Sequence, residues 1–202
     1  MFTGIIEATG SIVSVHSQGD NKSFWINSPF SAQLRVDQSV SHDGVCLTVE
    51  EVRNGQHRVT AISETLKKTN LGSWQKDTIV NLERCLQLSG RIDGHLVQGH
   101  VDATATCTQI TEANGSWQFR FSYPPEFSSM IIEKGSICVN GISLTVFNVT
   151  LSEFEVAIIP YTYDHTNINR LKNGSIVNLE FDMIGKYINR IMATHTQELS
   201  RH

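Results

Sequence analysis

The strongest constraint on the fold of this 202-residue chain is that most of it is written twice. At an offset of 97 positions, SHDGVCLTVEEV (41–52) lies over CVNGISLTVFNV (138–149), with five identities in twelve. The same offset places SETLKKTNLGSWQKDTIVNLE (63–83) over PYTYDHTNINRLKNGSIVNLE (160–180), with eight identities in twenty-one. An offset of 95 sets FTGIIEAT (2–9) against VQGHVDAT (97–104), so a single two-residue indel relates all three blocks. Self-similarity at a fixed spacing marks duplicated structural units. The expected units are residues 1–94 and 95–182, followed by a segment, 183–202, with no counterpart in either half.

Each half is rich in strand signals. IEATGSIVSV, SFWIN, VCLTVEEV and HRVTAI carry β-branched and aromatic residues between turn formers. Asn54-Gly55 and Asn114-Gly115 predict tight hairpins, whose two central residues need positive φ. Short strands with no long helical period argue for an all-β chain of two tandem Greek-key barrels rather than a parallel sheet. Short helical turns are expected near Pro29–Leu34, Glu64–Leu71, Pro125–Glu133 and Tyr163–Leu171. The last segment reads differently. Ile184, Tyr187, Ile188, Ile191, His195 and Leu199 recur at helical spacing and predict a C-terminal α-helix. Its apolar stripe must bury against the barrels or against other copies, and assembly is favoured because a closed barrel offers little spare apolar surface.

Several function classes fall away. The net charge is −4 and the sixteen Lys and Arg are scattered, whereas a nucleic-acid partner requires clustered cations. No apolar run approaches the roughly 18 residues that span a membrane, and MFTGIIEATG has neither a basic leader nor a signal-type apolar core. Cys46, Cys85, Cys107 and Cys138 form no CxxC pair, so free thiols in a reducing cytoplasm are expected rather than a zinc site or disulfide framework.

Along a strand, residues i and i+2 share a face. Cys46 with Thr48, and Ser143 with Thr145, therefore form matched polar pairs, while Leu47, Val49, Leu144 and Val146 turn to the core. Gly44 and Gly141 are expected to let a flat ligand approach the backbone. The halves differ in chemistry: His100 aligns with Ile5, Lys134 with Asp37, Ser143 with Cys46 and Asp182 with Cys85. An imidazole moves protons near neutral pH and an ammonium stabilises a developing anion. Similar shape with dissimilar groups suits two copies of one ligand in unequal roles. His95 reads as a hydrogen bonder behind the site, and His16, His42, His57, His165, His195 and His202 as surface or loop residues. Cys85, Cys107 and Cys138 read as small core residues, and Trp25, Trp74 and Trp117 as packing or surface aromatics.

The blocks FTGII, DGVCLTV, ETLKKTNLG, VNLER, GHLVQGHVD, KGSICVNGISLTV and VNLEFD, in that order, resemble the riboflavin synthase family over 1–182, and the terminal helix fits as well. The resemblance implies two similar six-stranded barrels and a helix that joins homotrimers. It implies a transferase whose site lies between the first barrel of one subunit and the second barrel of a neighbour. The reaction is the dismutation of two 6,7-dimethyl-8-ribityllumazine molecules. A four-carbon unit passes between them, giving riboflavin and 5-amino-6-(D-ribitylamino)uracil, with no metal or organic cofactor. Association with a lumazine synthase shell is a further partnership to consider.

Carried over by motif, one ligand pocket is expected on Gly4, Ile5 and Ile6, on Cys46, Leu47 and Thr48, and on Thr60, Ala61, Ile62, Ser63, Glu64 and Thr65. The other is expected on Gly99, His100 and Val101, on Lys134, on Ser143, Leu144 and Thr145, and on Ile159, Pro160, Tyr161, Thr162, Tyr163 and Asp164. The 7-methyl group of a lumazine is acidic because its carbanion delocalises into the ring. His100 is assigned to proton transfer there, with Ser143 and Thr145 orienting the ring or a bound nucleophile. Cys46 falls on the other ligand as a nucleophile or polar contact, and Lys134 and Asp182 steady charge and ribityl hydroxyls. The chain departs from the family pattern at Asn140, where many members have Asp, at Asp93, and at the bulkier Tyr163 and His165. A protein that holds lumazine or flavin without turnover is the rival reading, and the full set of polar residues in both halves argues against it. A flavin barrel from a reductase lacks its nicotinamide-binding βαβ unit here.

Overall fold

The computed structural model describes residues 1–199, with side chains through His195; the expected helix end at 202, His202 and the Leu199 side chain lie outside the described residues. The first half contains β1 (Ala8–Gln18), β2 (Asn21–Asn27), β3 (Ser39–His42), β4 (Val45–Thr48), β5 (Glu51–Arg53), β6 (Gln56–Ala61) and β7 (Ile79–Arg84). Its sheet order is β4-β3-β7-β1-β2-β6-β5. Because β4 and β5 are one strand interrupted at Val49–Glu50, this is a six-position barrel whose seam the break leaves open in the ladder. The second half contains β8 (Ala103–Ala113), β9 (Ser116–Ser122), β10 (Ser136–Val139), β11 (Ile142–Phe147), β12 (Glu153–Ile158) and β13 (Ile176–Phe181). These close fully in the order β10-β11-β12-β9-β8-β13, the same Greek-key circuit.

Local sequence explains this regularity. Asn54-Gly55 and Asn114-Gly115 adopt the expected paired positive φ values, 52° with 73° and 48° with 85°. The first and second strands of each half slip register at equivalent places, Ile12/Ser14 and Cys107/Gln109. A bulge there bends the ribbon so that it wraps into a barrel. The expected helical turns form as short 3-10 turns at Ser31–Gln33 and Pro125–Met130 and as α1 (Ser63–Lys68) and α2 (Pro160–His165). Each barrel has its own core, around Phe24, Ile26, Val59 and Leu82 in the first and Phe119, Phe121, Phe154 and Leu179 in the second.

The first core holds a feature that alternation did not reveal. His42 and His57 are fully buried, not surface residues, with Nε2 atoms 2.9 Å apart. His42 Nδ1–H donates to Val40 O, and Ser31 Oγ–H donates to His57 Nδ1, so one ring serves as donor to the other and both are neutral. Burial drives the His57 value down to about 4 and that of His42 well below its usual range.

The barrels meet about a pseudo-two-fold axis, through side chains the repeat had marked without revealing their use. Asn81 Nδ2 donates to Asn140 O at 2.9 Å, and Asn178 Nδ2 to Asp43 O at 2.9 Å. Asn167 N–H donates to Asn81 Oδ1 at 2.7 Å, and Asn70 N–H to Asn178 Oδ1 at 2.8 Å. Thr69 and Thr166 place Asn70 and Asn167 by capping the 3-10 turns Asn70–Ser73 and Asn167–Arg170. Asn140 thus belongs to this interface.

One member breaks the symmetry by carrying a carboxyl. Asp43 Oδ1 accepts from Asn81 N–H at 2.7 Å and Asn167 Nδ2 at 2.9 Å, as Asn140 Oδ1 accepts from Asn178 N–H at 2.8 Å. Burial pushes the Asp43 carboxyl from 3.8 up to about 7, against the pull of its Asn81 and Asn167 donors. A raised value means that the folded state holds the proton more tightly than the unfolded state. Stability from this group is full below pH 3.8 and lost as pH rises through about 7. Asp43→Asn, which copies the other half, is expected to raise unfolding stability at pH 8.5 by about 2 kcal/mol and to change it little at pH 5. Urea denaturation at the two pH values checks this.

The C-terminal helix, α3 (Met183–Leu199), is pinned at its start: Asp182 Oδ1 accepts from Ile184 N–H, and Lys186 Nζ meets Asp102 at 2.6 Å. Its apolar stripe faces away from both barrels, with Ile184, Tyr187, Ile188 and Ile191 all more than half exposed. No described helix is long and apolar enough to cross a membrane.

Candidate functional site

The matched strands β4 and β11 turn their polar pairs outward. Val45, Leu47 and Val49 are buried while Cys46 is partly and Thr48 largely exposed; Ile142 and Val146 are buried, Ser143 is partly exposed and Thr145 exposed. The candidate groups therefore lie on outer barrel faces and not in the barrel interiors. Around them stand the expected wall segments: Thr60 to Thr65 at the end of β6 and start of α1, and Ile159 to Asp164 at the start of α2. Tyr163 is stacked on Trp117 with centroids 3.6 Å apart, which braces the second wall. Ile62 and Ile159, equivalent residues, are 54% and 60% exposed, so both faces are open apolar shelves beside polar pairs.

The structure regroups the predicted pockets. Gly4 O accepts from Ser143 N–H at 2.8 Å, and Gly99 O accepts from Cys46 N–H at 2.9 Å. Gly4, Ile5 and Ile6 therefore belong with Ser143 in the second barrel, and Gly99, His100 and Val101 with Cys46 in the first, the reverse of the expected grouping. Ile6 packs on the second core and Val101 on the first. The exchange has a steric cause. Both glycines have positive φ, and a Cβ on Gly4 or Gly99 would lie 2.6 Å from the Cβ of Ser143 or Cys46. An isolated bridge between Phe2 and Val97 locks the two crossing segments together.

Gly44 and Gly141 are also placed differently from expectation. A Cβ on Gly44 would lie 2.8 Å from Gly141 N, and one on Gly141 would lie 2.9 Å from Gly44 N. Their missing side chains bring the two barrels together and do not admit a ligand.

Two buried carboxylates hold the crossing segments, and these were the functional residues missed in the sequence. Glu180 accepts from the N–H groups of Gln98, Gly99 and His100 at 2.7, 2.9 and 3.0 Å. Its counterpart Glu83 accepts from Thr3 N–H and Oγ1–H and from Gly4 N–H at 2.6, 2.7 and 3.0 Å. Burial pushes both carboxyls up and these donors pull them back. The readable signal was the doubled VNLE: a Glu two residues after an Asn, identical in both halves, on a strand buried on both faces.

The remaining candidates separate by face. His100 is exposed beside Cys46, whose thiol is pushed up chiefly by burial. Lys134 N–H donates to Val146 O, setting its side chain at the end of β11 near Thr145, with Nζ 5.5 Å from the Phe147 ring. Asp182 uses one carboxylate oxygen as the α3 cap, which restricts its expected ribityl role. Cys85, expected in the core, is exposed, and its thiol donates to Ser39 O. It lines a polar groove of about 690 Å³ with Arg84, Gln38 and Arg91, which Ile5 and Ser39 also border. In that groove Arg84 pairs with Glu7 at 2.7 Å, where the second half uses Lys186 of α3 on Asp102.

The lumazine binding domain model matches residues 3–85 and again 98–182. A riboflavin synthase of Actinobacillus pleuropneumoniae is 44% identical over 193 residues, covering 95% of this chain and 90% of that protein. Riboflavin synthases of Bacillus subtilis and Saccharomyces cerevisiae are 39% and 36% identical, with 95% and 100% of this chain covered and 90% of each relative. Among solved structures, LumP complexed with 6,7-dimethyl-8-(1'-D-ribityl) lumazine superposes with a TM-score of 0.82 at 21% identity, covering 90% of this chain and 99% of that one. LumP complexed with riboflavin gives 0.84 at the same identity and coverage.

Proposed function

The chain belongs to the riboflavin synthase family, whose lumazine-binding domain it carries twice, and on that premise we propose that each outward face binds one 6,7-dimethyl-8-ribityllumazine. The first face consists of Cys46, Thr48, the Thr60–Thr65 wall and His100; the second consists of Ser143, Thr145, Lys134, the Ile159–Asp164 wall and Ile5. Two lumazines react by transfer of a four-carbon unit, and atoms balance with riboflavin and 5-amino-6-(D-ribitylamino)uracil as sole products, so no external oxidant is needed.

The chain's own groups divide the work. His100, whose backbone N–H together with those of Gln98 and Gly99 is held by Glu180, takes or returns the methyl proton of the ligand on the first face. Cys46 contacts the same ring. Ser143 and Thr145 orient the second ring, and the Lys134 ammonium stabilises charge that develops on it. Face-to-face binding of the two rings supplies much of the rate, since well-oriented proximity is worth about 7–11 kcal/mol in favourable cases. Three copies joined along the exposed stripe of α3 bring the first face of one copy against the second face of its neighbour. That arrangement covers the shelves at Ile62 and Ile159, which a single chain leaves open. A transferase acting in the cytoplasm fits the four free thiols.

The observation that carries the reading is that both faces keep a full polar set on intact scaffolds, together with the near-full-length likeness to riboflavin synthases. Purified protein given 6,7-dimethyl-8-ribityllumazine is expected to form riboflavin, separated by chromatography. Tight binding with no riboflavin would move the chain to proteins that only hold the ligand.

A further inference from the structure

We propose that His95 is a positioning residue that fixes the Ser143 hydroxyl, and that this contact sets the second face chemically apart from the first. The inference rests on the riboflavin synthase reading, and it names a group which that reading does not use.

His95 is 9% exposed, and its Nδ1 lies 2.6 Å from Ser143 Oγ. Its other nitrogen, Nε2, is buried and has no hydrogen-bond partner among the described residues. A histidine that served only to knit the core would satisfy both nitrogens, since an unpaired buried polar atom costs stability. This one satisfies a single nitrogen, and that nitrogen is directed at the residue chosen for substrate contact. The ring is neutral near pH 7, because burial lowers its value more than the nearby Asp182 charge raises it. A neutral ring carries one hydrogen, so Nδ1 and Ser143 Oγ share a single hydrogen bond whose donor the tautomer decides. In either tautomer the bond fixes the direction in which the rest of the Ser143 hydroxyl faces the ligand.

The backbone is arranged to deliver this ring. His95 N–H donates to Thr3 O at 3.1 Å, and Thr3 is itself held by Glu83 through N–H and Oγ1–H. The residue before it must be glycine, since a Cβ on Gly94 would lie 2.1 Å from Thr3 O and 2.8 Å from Ser143 Cβ. Among the described residues no histidine ring is hydrogen-bonded to Cys46, the counterpart of Ser143, so the first face has no equivalent contact. The inequality of the faces thus comes from the connecting segment as well as from the Cys-to-Ser change.

The test compares His95→Ala with His95→Asn, whose amide reaches the position of Nδ1. His95→Ala is expected to lower kcat for riboflavin formation about 10- to 100-fold with KM within about two-fold, as for a misplaced reacting group. His95→Asn is expected to recover most of that loss. An unchanged kcat in His95→Ala, or equal loss in both variants, overturns the proposal. Should His95→Ala fail to fold, ring 15N shifts decide: the His95 Nδ1 signal is expected to move in Ser143→Ala, and an unmoved signal overturns the contact. The NMR result stands even if the wild-type chain makes no riboflavin, a failure that would count against the functional reading alone.

Discussion

Gly44→Ala is expected to leave the chain unfolded, or its two barrels separated, under conditions where the parent is stable. Two costs combine at this position. Gly44 has φ +81, where a Cβ introduces strain of about 1–3 kcal/mol. The added methyl would also lie 2.8 Å from the backbone nitrogen of Gly141, which no side-chain rotation relieves. Overpacking of that kind adds about 1–3 kcal/mol. The sum, about 4 kcal/mol, is a large share of the 5–15 kcal/mol that stabilises an ordinary domain. Displacement there also pulls on Asp43, Asn140 and the asparagine network around them. Gly55→Ala is the internal control, because its φ is +73 but nothing lies within 4 Å of the new methyl. Thermal unfolding of both variants should show a small loss for Gly55→Ala and a much larger one for Gly44→Ala. Equal losses would mean that backbone conformation alone, and not the meeting of the barrels, explains the glycine.

His100→Ala is expected to lower turnover by about 10²–10⁴-fold, the usual contribution of one positioned acid–base group. The effect should fall on kcat, because the exposed ring makes no hydrogen bond among the described residues, and Glu180 grips the backbone N–H and not the imidazole. Thermal stability should therefore stay near that of the parent, and lumazine should still bind, as a fluorescence titration would show. A variant that turns over normally would remove His100 from the proton-transfer step. Loss of binding together with turnover would instead make it a contact to the ligand.

The duplication made the fold legible: two barrels of like topology, hairpins at Asn-Gly pairs and an apolar helix outside the repeat follow from spacing and turn chemistry. Outward placement of Cys46, Thr48, Ser143 and Thr145 follows from strand alternation, and the structure keeps it. What the sequence concealed were relations between the halves. A local reading assigns FTGII to the first barrel because it precedes it, but the Gly4 carbonyl accepts from Ser143 N–H across the axis. Nothing in the order of residues states which partner a crossing segment chooses. Buried polar residues were misread for a related reason. His42 and His57 look like surface residues until each is seen to satisfy the other, and Asp43, Asn81 and Asn178 look like turn or strand polars until the axis joins them. Hydrogen bonds between residues far apart in sequence decide burial in such cases, and alternation is blind to them.

The central claim is that two lumazines, one on each unequal face, react with each other, and a mass balance tests it most directly. Purified protein is incubated with 6,7-dimethyl-8-ribityllumazine alone, and substrate and products are quantified over time. The account predicts two lumazines consumed for each riboflavin formed, with one 5-amino-6-(D-ribitylamino)uracil released. Lumazine recovered intact from a tight complex, or riboflavin formed without the pyrimidine, would contradict it.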